Sequence, residues 1–92
     1  MRLRWSPSAR RALASVRTFL AERDPAAARR VERRILERAN FLARWPQAGR
    51  PSHVSGTREL SIPDIQYVII YEVVGEDVLI LMLWHSRQSR PR

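Results

Sequence analysis

Cysteine is absent from all 92 residues, which excludes a disulfide framework and any thiolate metal site. Lysine is absent too, so every one of the seventeen basic side chains is arginine. His53 and His85 are the only histidines, too few for a zinc site. No apolar run approaches the roughly 20 residues that span a bilayer, and Met1-Arg2-Leu3-Arg4-Trp5 lacks the apolar core of a signal peptide. There is no internal repeat and no low-complexity segment. The length suits one domain with a modest core, marginally stable without a partner. A soluble cytoplasmic protein needing no cofactor and no membrane is the expectation.

What is present is positive charge, unevenly spread. Residues 1–50 carry thirteen arginines against Glu22, Asp24, Glu32 and Glu37, a balance of +9; residues 51–92 carry four against five acids, a balance of −1. A cationic N-terminal half raises the expectation of nucleic acid or an acidic protein partner, with a solvated helix face as the plain alternative.

The order of elements follows from caps and periodicity. Arg2 to Trp5 alternates charge with Leu3 and Trp5, a short strand with one buried face. Ser6-Pro7 is an N-cap followed by proline at the first helical position. The helix it opens runs to Glu22 or Arg23, with Ala9, Ala12, Leu13, Val16, Phe19 and Leu20 as its inward stripe. Asp24-Pro25 repeats the signal. The second helix turns Ala28, Val31, Ile35, Ala39 and Leu42 inward and ends near Trp45, because Pro46 disfavours helix in the residue before it. So short a link predicts an antiparallel hairpin. Three strand-like runs follow, 56–62, 67–74 and 78–87, rich in β-branched and aromatic residues. Pro63-Asp64 and Gly75-Glu76-Asp77 mark the turns between them. Residues 87–92 lack apolar content and are expected to form a mobile tail. The order is β-α-α-β-β-β.

Alternation in the two long strands sets Tyr67, Ile69, Tyr71 and Val73 against Val68, Ile70 and Val74. It likewise sets Val78, Ile80, Met82 and Trp84 against Leu79, Leu81 and Leu83. Both faces are apolar, yet two helices cover only one. The other needs the chain itself, a second copy or a partner protein, and a partner is the favoured cover.

Several pieces, in this order and at these separations, resemble the RelE/ParE family of toxins from bacterial type II toxin–antitoxin systems, closer to the ParE branch. They are Ser6-Pro7 with Ala9, Pro25-Ala26-Ala27-Ala28, Phe41-Leu42 to Pro46, Gly49-Arg50-Pro51, Gly56-Thr57-Arg58-Glu59-Leu60, Tyr67-Val68-Ile69-Ile70-Tyr71, and a last strand ending in His85. The resemblance spans Leu3 to Arg87. It implies an α+β fold, a helical hairpin packed on a mainly antiparallel sheet. It also implies a cognate, ParD-like antitoxin that wraps the toxin in a hetero-oligomer and supplies any contact with operator DNA.

The family divides in mechanism: ParE-like members poison DNA gyrase, whereas RelE-like members cut messenger RNA on the ribosome. Cutting RNA takes a base for the 2′-hydroxyl proton, cations for the phosphate and an acid for the leaving oxygen. Here the candidates are Glu59 as base, His85 as acid, and Arg58 and Arg87 as phosphate clamps. The set is thinner than in active nucleases of the family, with no lysine and no aromatic residue after His85, so inhibition of gyrase is the favoured function. Each residue also has a plainer reading. Arg58 pairs with a neighbouring carboxylate, Glu59 faces solvent, His85 closes an apolar strand, and His53 is inert. Tyr67 and Tyr71 are core aromatics before they are a stacking platform for bases, and Trp5, Trp45 and Trp84 belong to the core or to a partner contact.

Overall fold

Ser6 joins the first helix to the sheet. In a computed structural model, which describes residues 1–87, its hydroxyl oxygen accepts the Ala9 N–H at 3.0 Å and donates to the Leu81 carbonyl at 2.9 Å. Helix α1 then runs Pro7–Ala21 and helix α2 Pro25–Arg44, the latter capped by Asp24, whose carboxylate accepts the Ala27 N–H at 3.1 Å. The N-terminal ammonium donates to the Ala43 carbonyl at 2.9 Å, satisfying one orphan carbonyl at the negative end of α2. The strands are β1 (Arg2–Trp5), β2 (Arg50–Pro51), β3 (Arg58–Ile62), β4 (Tyr67–Val74) and β5 (Asp77–His85).

They form one sheet in the order β1-β5-β4-β3-β2. β1 lies parallel to β5, and every other pairing is antiparallel. The order expected from sequence stands, with β2 as an addition. Two residues carry no periodicity, and their pairing, Arg50 opposite Glu59 and Pro51 opposite Arg58, is a tertiary event. The β4–β5 hairpin turns in only two residues, Gly75-Glu76, since Val74 already pairs with Asp77. Gly75 takes φ +59° there, a conformation cheap only without a Cβ. The tail expectation falls mostly on residues 88–92, outside the described residues; Arg87 belongs to a turn after β5.

The helices cover one face. The core beneath them gathers Ala9, Val31, Ile35, Ala39, Leu42, Ile62, Ile69, Tyr71, Val78, Ile80 and Leu83, with Leu3, Trp5, Leu13 and Val16 packed against it. Each fully buried Ile or Leu contributes about 1.5–3 kcal/mol relative to exposure. Phe19 departs from its expected place: it is 56% exposed, with the Arg23 guanidinium 3.9 Å above its ring.

Strict alternation also fails in β5. Ile70 pairs with Met82 but Tyr71 pairs with Ile80, so Leu81 is an extra residue, a β-bulge. Past it the faces exchange. Leu83 joins Val78 and Ile80 under the helices, whereas Trp84 turns to the opposite face with Val68 and Ile70, where Leu81 and Met82 pack on them. On that opposite face Val68, Ile70 and Trp84 are only 5%, 8% and 9% exposed within the chain alone. The chain itself shields these three, and a partner is not needed to bury them.

Candidate functional site

Arg58 opens β3 opposite Tyr71 of β4, and these two side chains hold the loop between α2 and β2. The Tyr71 hydroxyl donates to the Pro46 carbonyl at 2.8 Å and accepts the Gly49 N–H at 2.8 Å. The Arg58 guanidinium donates to the Gly49 carbonyl at 2.7 Å. Gly49 is without alternative here, since a Cβ would lie 2.6 Å from the Tyr71 hydroxyl and 2.7 Å from the Glu59 carbonyl oxygen. Burial raises the Tyr71 phenol above its ordinary value, opposed in part by the Gly49 N–H and the Arg58 charge. Arg58 thus has a carbonyl partner where the sequence suggested a carboxylate.

Glu59 does not face solvent as expected. It is 4% exposed, and Arg50 reaches its Oε1 through Nε at 2.9 Å and a terminal nitrogen at 2.8 Å. The position lies on the sheet face away from Arg58, because successive strand residues point oppositely. A buried carboxylate held by a guanidinium fits structural pairing well.

His85 lies at the other end of the sheet. It pairs in register with Tyr67, whose ring meets it edge-on at 5.1 Å. Its Nδ1 accepts the Arg87 backbone N–H at 3.1 Å. Arg58 is opposite Tyr71 while His85 is opposite Tyr67, four residues along β4 and two strands across. From strand spacings that is roughly 16 Å of backbone separation. So His85 and Arg87 are neighbours, Arg58 and Glu59 occupy opposite faces, and the two pairs stand apart. One phosphate cannot meet all four side chains in this arrangement, since acid–base work needs each group within hydrogen-bond reach. Arg50, Gly49 and Tyr71 carry the local geometry and were not assigned it from sequence. An acid in the middle of an apolar strand, Glu59, is the one signal that would have pointed to a buried cation partner.

Two clefts flank α1. One, about 690 Å³, has an apolar floor that includes Leu3, Trp5, Leu13, Leu36 and Leu79, with Arg4 and Arg10 at its rim. The other, about 490 Å³, lies between Phe19 and Val16 of α1 and the strand ends at Tyr67 and His85. Among the described residues no group of His, Cys, Asp and Glu is placed to hold a metal ion, and no helix is long and apolar enough to cross a membrane.

Comparison with known proteins bears on this arrangement. The protein Y4kP of Sinorhizobium fredii is 40% identical over 91 residues, covering 99% of this chain and 94% of that one. Toxin RelE1 of Caulobacter vibrioides is 39% identical over 74 residues, 78% of each chain. Among solved structures, the chromosomal ParDE system of P. aeruginosa is similar with a TM-score of 0.83 at 26% identity, over 92% of this chain and 95% of that one. The RelBE2 toxin–antitoxin complex of Mycobacterium tuberculosis gives 0.66 at 26% identity, over 91% and 95%. Residues 3–90 match the family described as the ParE toxin of the type II toxin–antitoxin system parDE. The chain therefore belongs to the ParE toxin family of type II toxin–antitoxin systems.

Proposed function

We propose that this toxin acts by binding rather than by cutting, with DNA gyrase as its target in the cytoplasm, and that a cognate antitoxin holds it inactive. The observation that carries the reading is a comparison at equal identity. At 26% in both cases, the fold follows the ParDE structure at 0.83 and the RelBE2 structure at 0.66. The site geometry supports it. Glu59 is engaged by Arg50 and Arg58 by the Gly49 carbonyl, which leaves no converging acid and base.

An antitoxin partner is supported by the ParDE and RelBE2 structures, both of toxin–antitoxin systems, and by the cleft beside β1. Its apolar floor and arginine rim suit an amphipathic segment with acidic flanks. Contact with operator DNA would come through that antitoxin in a hetero-oligomer.

A second reading, a RelE-like ribosome-dependent endoribonuclease needing no metal, is favoured by the adjacency of His85 and Arg87 and by the relative named RelE1. Titrating purified toxin into gyrase and, separately, into ribosomes programmed with message discriminates between them. Saturable binding to gyrase and none to the ribosome is the expected result; the reverse would discard the gyrase reading.

A further inference from the structure

The arginines of the helical hairpin are not all engaged. Arg17 pairs with Glu32 at 2.7 Å, and Arg34 pairs with Asp64 at 2.9 Å and Glu37 at 3.7 Å. Arg38 lies over the Phe41 ring at 4.1 Å. Among the described residues, Arg29, Arg30 and Arg33 form no ion pair, and all three are exposed.

Their placement works against the helix that carries them. Arg29 with Arg33 and Arg30 with Arg34 are like charges at i,i+4, an unfavourable spacing. The first turn of α2 holds no acidic residue to offset them, and the acids at i+3 from Arg29 and i+4 from Arg33, Glu32 and Glu37, are paired with Arg17 and Arg34 instead. Exposed arginines that crowd like charge at this spacing and form no ion pair, as Arg29, Arg30 and Arg33 do, point outward.

Arg29, Arg33 and Leu36 stand at i, i+4 and i+7, one stripe of α2. Leu36 lines the cleft with Arg10 of α1, and the Arg17–Glu32 pair bridges the helices one turn away. The stripe therefore borders the outer seam of the hairpin. Between Pro25 and Arg34 no large apolar side chain is exposed, and the one acid there, Glu32, is held by Arg17, so this half of α2 offers chiefly cationic forks and alanine. That suits phosphates better than an amphipathic peptide, which needs apolar anchors between its charges. Guanidinium forks match phosphate oxygens. A straight helical edge with side chains about 5–6 Å apart faces a duplex carrying one charge per roughly 1.7 Å of axis.

We propose that the N-terminal half of α2, through Arg29, Arg30 and Arg33, binds the phosphate backbone of duplex DNA directly and without sequence preference. This contact is separate from any sequence reading by an antitoxin and does not depend on gyrase as target.

The test is fluorescence anisotropy of the purified toxin with a labelled random-sequence DNA duplex over a salt series. Three proteins are compared: wild type, Arg29→Gln/Arg33→Gln, and Arg11→Gln/Arg44→Gln, which removes the same charge from exposed arginines near the start of α1 and the end of α2. The first pair should lower the salt slope by about 2 while its melting temperature holds or rises. The second pair should leave the slope within error of wild type. Equal loss from both pairs, or none from either, would overturn the proposal by making the attraction diffuse. So would polyglutamate displacing the duplex at equal charge, because the partner would then be an acidic chain. Gyrase inhibition is scored separately, so that a toxin inhibiting gyrase without binding duplex refutes this inference alone.

Discussion

The loop clamp rests on single atoms, and its members predict distinct losses. Tyr71 is fully buried and its hydroxyl bridges Pro46 and Gly49, so Tyr71→Phe strands two backbone groups and should cost about 1–3 kcal/mol by urea denaturation. Gly49→Ala should cost at least as much, because its Cβ meets buried atoms at 2.6–2.7 Å that cannot move aside cheaply. Burial raises the phenols of Tyr67 and Tyr71 above 10.0. The native state thus holds those protons more tightly than the unfolded chain. Their contribution is complete below about pH 10 and is lost as pH climbs through the raised value, so Tyr71→Phe should flatten the alkaline limb of a stability profile. Asp77 shifts the other way. Hydrogen bonding from Arg2 lowers its carboxyl below 3.8, and its contribution, present above that range, is lost as pH falls through the lowered value; Asp77→Asn should remove that part of the acid limb. Little of this clamp was legible in the sequence. Gly49-Arg50-Pro51 stood out as a motif and Arg58 as a candidate, but neither pattern says that residues nine apart will meet. Glu59 in particular reads as solvent-facing until β2 brings Arg50 alongside it.

Elements whose causes are local were legible, and those made by tertiary pairing were not. Ser6-Pro7 and Asp24-Pro25 announced both helices because a cap and a proline act within four residues of sequence. β2 and the Leu81 bulge left no such trace, since each exists only through its partner strand. The bulge decides which face Leu83 and Trp84 take, and a strict period of two assigns both to the wrong side. Ser6 couples the two kinds of feature: it caps α1 and donates to the carbonyl of the bulged Leu81. Asp24 only caps. Ser6→Ala should therefore destabilise by more than Asp24→Ala, which should cost about 0.5–2 kcal/mol; equal losses in thermal melts would reduce Ser6 to an ordinary cap.

At the scale of the molecule, a hairpin rich in arginine stands over a sheet that is nearly neutral. On the sheet face away from the helices Val68, Ile70 and Trp84 are largely shielded within the chain, so the proposed role of an antitoxin is less to cover a bare core than to occupy the cleft beside β1. Co-expression with the neighbouring antitoxin gene should raise the melting temperature of the toxin, and Leu36→Asp in the cleft should abolish that rise while leaving the isolated toxin folded, since Leu36 is 38% exposed. A toxin that arrests a topoisomerase by binding, as proposed above, leaves message uncut. The most direct test runs one preparation through two assays together, plasmid supercoiling by gyrase and primer extension on ribosome-bound message. Arrest by gyrase binding should give lost supercoiling or trapped cleaved DNA, with the message intact and His85→Ala as inhibitory as wild type. Ribosome-dependent cutting that vanishes in a folded His85→Ala protein, with supercoiling untouched, would contradict it.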